Sequence, residues 1–348
     1  MRWIVTGGGT GGHFFPAFEV MKFLRERGED VLYLGVKRGI EASIIPKSGI
    51  PYRLFDFEGV RGRGVRSIFA LLKLIPSVIE VAKVFAHFKP DLVFMTGGYV
   101  SVPVFIVAFI KDIPIFIHEQ NSIPGSSNIL TSKFAKGVFV TFEESLKHFK
   151  NDRLFVSGNV IREEFFKETY PLRSYIRLLV IGGSLGARSI NKAVVGMLPL
   201  LKRLNIEILH QTGRLDYDGI VESYKDLGYS NAKVFPFYDR PWELLKEATL
   251  IVSRAGSSAI SEIVLAGRCA IIVPYPYAAG NHQLVNAKIL QRLAPIRILE
   301  DHELGMLFRE IFLYYINRRR LVKCCSKIKR AIIIGKARDI VIKMLGEK

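Results

Sequence analysis

The chain has 348 residues, enough for two domains of ordinary size. With 49% apolar and 24% charged residues it is no disordered polymer. Its longest apolar stretch, residues 100–110 with Pro103 inside, is too short to span a bilayer. Fifty Lys plus Arg against 32 Asp plus Glu leave a charge of +18, which favours a polyanionic partner: nucleic acid, anionic lipid or a phosphorylated substrate.

In chain order, a strand is predicted at residues 3–6, with no signal peptide expected before it. It runs into Gly7-Gly8-Gly9-Thr10-Gly11-Gly12-His13 and then a helix, whose Ala17, Val20, Met21 and Leu24 share one face and which Gly28 stops. Further strands are predicted at 31–36, 92–96, 113–117 and 138–141. A second series follows at 178–181, 206–210, 233–235, 250–253, 270–273 and 296–299. These runs are continuously apolar rather than alternating, as parallel strands covered by helices on both faces must be. The expected architecture is α/β, doubly wound. Gly8-Gly9-Thr10 and Gly182-Gly183-Ser184, each after a strand, are 174 residues apart, half the chain, so each half opens alike. The polar segment 157–171 is the candidate linker, and the basic helical end 318–348 has no strand left to pair. Cys269, Cys324 and Cys325 form neither a disulfide framework nor a metal cluster and suggest a reducing compartment.

The glycine turns carry the chemistry. A strand–glycine–helix turn brings backbone close to a ligand and presents helix N–H groups to an anion. The first turn is no P-loop, because no Gly-Lys-Ser/Thr follows. It is no clean dinucleotide fingerprint either, because the second strand ends on Lys37 rather than an acidic residue. A ligand-free tight turn is the plain alternative. His13 opens the helix and is a candidate proton acceptor beside an anion site, or simply a capping histidine. Ser184 and the backbone amides of the second turn could hold a phosphate; a third glycine turn, Arg254-Ala255-Gly256-Ser257-Ser258, again leads from a strand into a helix, and Glu262 inside that helix could accept ribose hydroxyls. Thr96-Gly97-Gly98-Tyr99, His118-Glu119-Gln120-Asn121 and His282-Gln283 are polar clusters that follow apolar strands or a Pro/Tyr-rich loop, and read as site rather than core. The histidines lack metal-ligand spacing, so no metal is expected.

Seven motifs occur in order over the whole chain: Gly8-Gly9-Thr10-Gly11-Gly12-His13, Gly97-Gly98-Tyr99-Val100-Ser101, His118-Glu119-Gln120-Asn121, Gly158-Asn159-x-x-Arg162, Gly182-Gly183-Ser184, Arg254-Ala255-Gly256 and His282-Gln283-x-x-Asn286. The set resembles glycosyltransferase family 28, in particular the bacterial UDP-N-acetylglucosamine:lipid I N-acetylglucosaminyltransferases of peptidoglycan synthesis. Leu185 and Val160 depart from a glutamine and a proline common there.

The resemblance implies the GT-B fold, two Rossmann-like domains facing across a cleft. Residues 1–161 with a returning C-terminal helix, 331–348, would form the acceptor and membrane domain, and 162–330 the UDP-N-acetylglucosamine domain. It implies that Arg162 and Ser184 hold the donor diphosphate, without a cofactor. Glu262 takes the ribose, Phe237–Tyr238 the uracil, and Ser257, Ser258, Ala259, Ile260 and Ser261 supply amides to the nucleotide. Gln283 and Asn121 would bind sugar hydroxyls, and Thr10, Gly11 and Gly12 the acceptor diphosphate. His13 is the leading base, with Glu119 a second catalytic candidate and Tyr99 and His118 on the acceptor side.

Arg61, Arg63, Arg66 and Lys73 interleave with Val65, Ile68, Phe69, Leu71 and Leu72, either an ordinary amphipathic helix or a surface for anionic lipid. The resemblance therefore implies a peripheral enzyme on the cytoplasmic face of the bacterial inner membrane, serving cell-wall growth, shape and division. A related transferase with another lipid acceptor, such as diacylglycerol, is the alternative. A nucleic-acid-binding protein is disfavoured by the absence of a reader motif.

Overall fold

The computed structural model describes residues 1–57, 65–183, 185–329 and 334–346, with 65–73 as backbone only. Arg61, Arg63 and Ser184 lie outside the described residues, and so do the side chains of Arg66 and Lys73. The chain divides into two compact units, Met1–Arg162 with Ile333–Lys348, and Glu163–Ile332. Arg162, read from sequence as the first residue of the second domain, falls in the first unit.

The first unit is built on a parallel sheet of β1 (Arg2–Thr6), β2 (Asp30–Val36), β3 (Tyr52–Phe55), β4 (Leu92–Met95), β5 (Ile115–Glu119), β6 (Gly137–Val140) and β7 (Leu154–Val156). Their order is β3-β2-β1-β4-β5-β6-β7 among the described residues. Both faces are covered, which explains the continuous apolar runs. Trp3 and Val5 of β1 join Phe94, Phe116 and Phe139 under the Gly11–Glu26 helix and the C-terminal Ala337–Leu345 helix. Ile4 turns the other way, to a cluster with Val81 and Phe85 of the Val65–Phe88 helix and Val104 and Val107 of the Ser101–Ile110 helix. Of the basic C-terminal segment 318–348, only the end packs on the first unit's core, and contrary to expectation it does hold a strand: β15 (Ile334–Gly335) pairs with β8 (Asn159–Val160).

The second unit repeats the pattern with β9 (Arg177–Ile181), β10 (Glu207–Gln211), β11 (Ala232–Phe235), β12 (Leu250–Ser253), β13 (Cys269–Ile272) and β14 (Arg297–Ile298), ordered β11-β10-β9-β12-β13-β14. In both sheets the strand order reverses beside the first strand, and open sheets of this kind bind ligands at that point, outside the strands' C-terminal ends. The glycine turns after β1, β4, β9 and β12 all lie there.

Two further expectations change. The segment 157–171 is more than a linker: it holds β8 and the Glu163–Lys167 helix, whose Phe165 is buried against Trp242. Cys269 and Cys324 are paired as a disulfide, with Cα atoms 5.3 Å apart, leaving Cys325 as a buried thiol. The pairing arises because the Arg318–Ile328 helix turns Leu321, Cys324, Cys325 and Ile328 inward, where Cys324 meets the first residue of β13. The basic residues Arg319, Lys323 and Lys327 of that helix are exposed, a solvated face.

Candidate active site

In the first unit, Thr10 opens the Gly11–Glu26 helix in an extended conformation, without a side-chain cap. The first N–H groups of a helix have no intrahelical partner. Here they belong to the half-exposed Gly11 and Gly12, beside the exposed Thr10. The β1 and β4 turns close on one another because they lack side chains: Gly98 has φ +83°, and a Cβ on it would stand 2.6 Å from the Gly8 carbonyl. Tyr99 packs its ring on Gly9 and lies 6.0 Å from the Phe57 ring.

The loop is also braced from below. Wholly buried Glu41 accepts the Gly9 N–H on both oxygens, at 3.0 and 3.1 Å, and the Val36 N–H at 3.5 Å. Desolvation pushes the Glu41 carboxyl above the usual range. Tyr33 donates its hydroxyl to the Gly7 carbonyl at 2.9 Å. The Gly9 amide is therefore answered within the protein, and the amides at the helix mouth are those of Gly11 and Gly12.

His13 sits half-exposed in this first turn, with Nδ1 3.0 Å from the Thr96 carbonyl and 2.8 Å from Gln120 Oε1. The other two ionisable candidates of this unit stand elsewhere than the sequence suggested. His118 is fully buried, its Nε2 3.0 Å from the Gly158 carbonyl and its Nδ1 3.0 Å from Gln120 Nε2. Burial lowers its pKa to about 4. Glu119 is equally buried: Oε1 accepts from the Asn121 amide at 2.8 Å, and Oε2 from the Gly125 amide at 3.2 Å and Asn128 Nδ2 at 2.8 Å. Neither side chain presents a face to solvent, so His118 is not an acceptor contact and Glu119 is not a base. The physical reason is that both still belong to β5, whose every residue is covered. Asn121, past the strand, is half-exposed. Arg162 stacks its guanidinium 4.6 Å from the Phe15 ring, next to the same helix. This sets it beside the first unit's glycine helix.

In the second unit, Gly256 opens the Ser257–Ala266 helix, again without a side-chain cap. Ser258 Oγ is buried with no hydrogen-bond partner among the described residues. Ser257, Ser258 and Ala259 hold the first helical amides. Ile260 and Ser261 do not serve as expected: Ile260 is buried and its amide closes on the Gly256 carbonyl at 2.9 Å, while Ser261 is buried with its hydroxyl on the Ser257 carbonyl. The helix ladder consumes N–H groups from this position on. Glu262 is half-buried on the side of Tyr170, whose hydroxyl burial, Glu168 and Glu262 push up.

Gln283 accepts the Ala255 and Tyr275 amides on one oxygen, at 3.1 and 3.0 Å, tying the β12 turn to the loop after β13. Its amide nitrogen is the end left for a hydroxyl. Tyr238 donates its N–H to Gln211 Oε1 at 3.1 Å, and Gln211 Nε2 donates to the Gly183 carbonyl at 3.0 Å. Gln211, buried at the end of β10, therefore couples the second glycine turn to the segment expected at uracil. Arg254 pairs with Asp301 at 2.6 Å and donates to Ser189 Oγ at 2.7 Å, fixing the third turn.

Glu41, Asn128, Gln211 and Asp301 were not singled out from sequence, and Gln120 and Arg254 only as members of polar motifs, without a role of their own. Gln211 carried a usable signal, since His210-Gln211-Thr212 is a polar cluster ending an apolar strand, like 118–121. Glu41 carried none.

Two doubly wound units with uncapped helices and glycine turns at both reversal points have the architecture of the GT-B glycosyltransferases, and the family matches establish that class. Residues 3–140 match the Glycosyltransferase family 28 N-terminal domain and 177–311 the Glycosyltransferase family 28 C-terminal domain. The chain belongs to glycosyltransferase family 28. It is 37% identical over 320 residues to the UDP-N-acetylglucosamine–N-acetylmuramyl-(pentapeptide) pyrophosphoryl-undecaprenol N-acetylglucosamine transferase of Thermodesulfovibrio yellowstonii, covering 88% of this chain and 87% of that one. The Syntrophus aciditrophicus protein of the same name is 40% identical over 312 residues, covering 87% and 86%. The crystal structure of Acinetobacter baumannii MurG superposes with TM-score 0.77 at 29% identity over 99% of both chains.

Proposed function

We propose that this enzyme transfers N-acetylglucosamine from UDP-N-acetylglucosamine to the C4 hydroxyl of the muramyl sugar of lipid I, giving lipid II. The observation that carries the reading is His13 in the first turn of an uncapped helix, within a chain of this family. His13 accepts the proton of the C4 hydroxyl as that oxygen attacks the anomeric carbon of the donor. The bond from that carbon to the UDP oxygen breaks, UDP leaves with the electron pair, and the sugar inverts from α to β. Gly11, Gly12 and Thr10 hold the acceptor diphosphate, and Arg162 adds a fixed positive charge beside the same helix.

On the donor side, Ser257, Ser258 and Ala259 offer amides to the UDP diphosphate, where charge grows as the bond breaks. Glu262 accepts the ribose hydroxyls, Phe237–Tyr238 flank uracil, and the Gln283 amide nitrogen and Asn121 meet sugar hydroxyls. Ser184 contributes from the second glycine turn.

The test is transfer from UDP-N-acetylglucosamine to a lipid I analogue. His13→Ala should lose about 10²–10⁴-fold in turnover with UDP binding intact, and Glu262→Ala should weaken UDP binding. Unchanged values in both variants would remove the assignment.

The enzyme works at the cytoplasmic face of the inner membrane, where a polyprenyl acceptor resides, and so serves cell-wall growth and division. Support comes from an exposed aromatic cluster in the first unit. Phe109 and Phe134 are half exposed with ring centroids 4.8 Å apart, beside exposed Ile110 and Leu130 and the exposed Lys111, Lys133 and Lys136. Each lysine near an anionic surface contributes about 1 kcal/mol. Replacing both phenylalanines by serine should abolish sedimentation with anionic vesicles; retained binding would refute the surface.

A further inference from the structure

A chain of hydrogen bonds runs from His13 into the core, and the direction of every bond in it is determined by chemistry. The Gly158 carbonyl can only accept, so the His118 Nε2 that meets it at 3.0 Å carries a hydrogen. Burial holds His118 neutral, its pKa lowered to about 4, so its Nδ1 bears only a lone pair. The group of Gln120 facing that lone pair at 3.0 Å must then be its NH₂, which also donates to the His118 carbonyl at 2.8 Å. This orients the Gln120 amide: its oxygen faces the other way, 2.8 Å from His13 Nδ1. The Thr96 carbonyl, a second pure acceptor, faces the same nitrogen at 3.0 Å. Two acceptors on Nδ1 require a hydrogen there, and a neutral imidazole then keeps its lone pair on Nε2. Gln120 and His118 are both fully buried, so water does not compete for these bonds.

We propose that Gln120, backed by His118 and the Gly158 carbonyl, is a positioning residue that holds His13 in the Nδ1–H tautomer with Nε2 open to the acceptor hydroxyl. This rests on the reading of His13 as the base. A free histidine in water favours the opposite tautomer, which would place a hydrogen on the nitrogen that must accept one. The partner is a neutral amide rather than a carboxylate. It fixes tautomer and ring orientation without placing a negative charge against Nδ1.

The first test uses the unaltered enzyme. Two-bond ¹H–¹⁵N spectra of histidine-labelled protein at mildly alkaline pH report which ring nitrogen is protonated, and the His13 signals are those missing in His13→Ala. The expected pattern is a protonated Nδ1 and a bare Nε2; a protonated Nε2 overturns the proposal. The second test is Gln120→Met, which keeps length and loses all three side-chain hydrogen bonds. With only the Thr96 carbonyl left on Nδ1, its His13 signals should move part of the way toward the Nε2–H pattern. Its kcat should fall at least about tenfold and by no more than the 10²–10⁴-fold that general-base help supplies, while KM for the donor stays put. Unmoved signals and an unmoved kcat in a folded Gln120→Met protein would also overturn it. The two readings fail separately. Full turnover in His13→Ala removes the base whatever the tautomer, whereas a wild-type Nε2–H tautomer removes the relay even where His13→Ala is inactive.

Discussion

Glu119→Gln separates a carboxylate that holds a loop from one that moves a proton. In the wild type each oxygen answers donors: Oε1 the Asn121 amide at 2.8 Å and Asn121 Nδ2 at 3.4 Å, Oε2 the Gly125 amide at 3.2 Å and Asn128 Nδ2 at 2.8 Å. A glutamine turns one oxygen into an NH₂ aimed at two donors. If that NH₂ faces Asn128, the asparagine can flip, because its Oδ1 is buried and unpartnered, and one bond is recovered. The Gly125 amide cannot flip and is left without its acceptor. The net loss is one to two charge-assisted hydrogen bonds at about 1.5–3 kcal/mol each, so about 3 kcal/mol. For a unit of this size that lowers Tm by about 6–12 °C. Calorimetry should show the drop in the first unit's transition, identified as the one UDP does not raise. Turnover well below that transition should stay within about tenfold of wild type. A variant that melts with the wild type but loses about 10²-fold or more in kcat would refute the structural assignment and return Glu119 to the chemistry.

Other outcomes follow from the same geometry. His118 and His210 are buried, and desolvation lowers their pKa values to about 4 and about 3 from 6.5. The unfolded chain binds protons that the folded one refuses, so their contribution is complete above pH 6.5 and lost as pH falls toward those values, about 3 and 5 kcal/mol respectively. Urea midpoints of the second unit should fall between about pH 6.5 and 4, and His210→Gln should flatten that slope; an unchanged slope would assign it elsewhere. Gln211→Ala should raise the Kd for UDP by about tenfold, the worth of a net 1–1.5 kcal/mol, with kcat at saturation little changed. Unaltered UDP titrations would uncouple Gln211 from the nucleotide. The Cys269–Cys324 pair, 55 residues apart, should leave one titratable thiol of three in denaturant without reductant. Reduction should cost the second unit about 4 kcal/mol by loop entropy; three titratable thiols would show that the bond does not form.

Much of the fold was legible because two-sided burial writes itself into sequence: β1, β4, β5, β9, β12 and β13 are continuous apolar runs, and helices alternate with them. β3 and β7 were not legible, because edge strands are short and half-exposed. Arg53 faces outward in the one, and the other has three residues. The glycine turns were legible for a different reason: close approach of backbones forbids side chains, and that leaves glycine and nothing else. The polar residues just past the strands were only half legible. Sequence marks that 118–121 and 210–212 are polar where the sheet ends, yet it does not say which way each side chain turns. His118, Glu119 and Gln211 turn inward and hold loops, while Asn121 and His13 keep an open face. For His118 and Gln211 that choice is made by partners distant in sequence, Gly158 and Gly183, which no local spacing encodes, while Glu119 turns to the loop just past its own strand, at Asn121, Gly125 and Asn128. A site of this kind therefore has an outer layer of groups that meet substrate and an inner layer of buried amides and carboxylates that aim them. The inner layer carries much of the precision: an imidazole with its hydrogen on the wrong nitrogen is present in the sequence and absent from the chemistry.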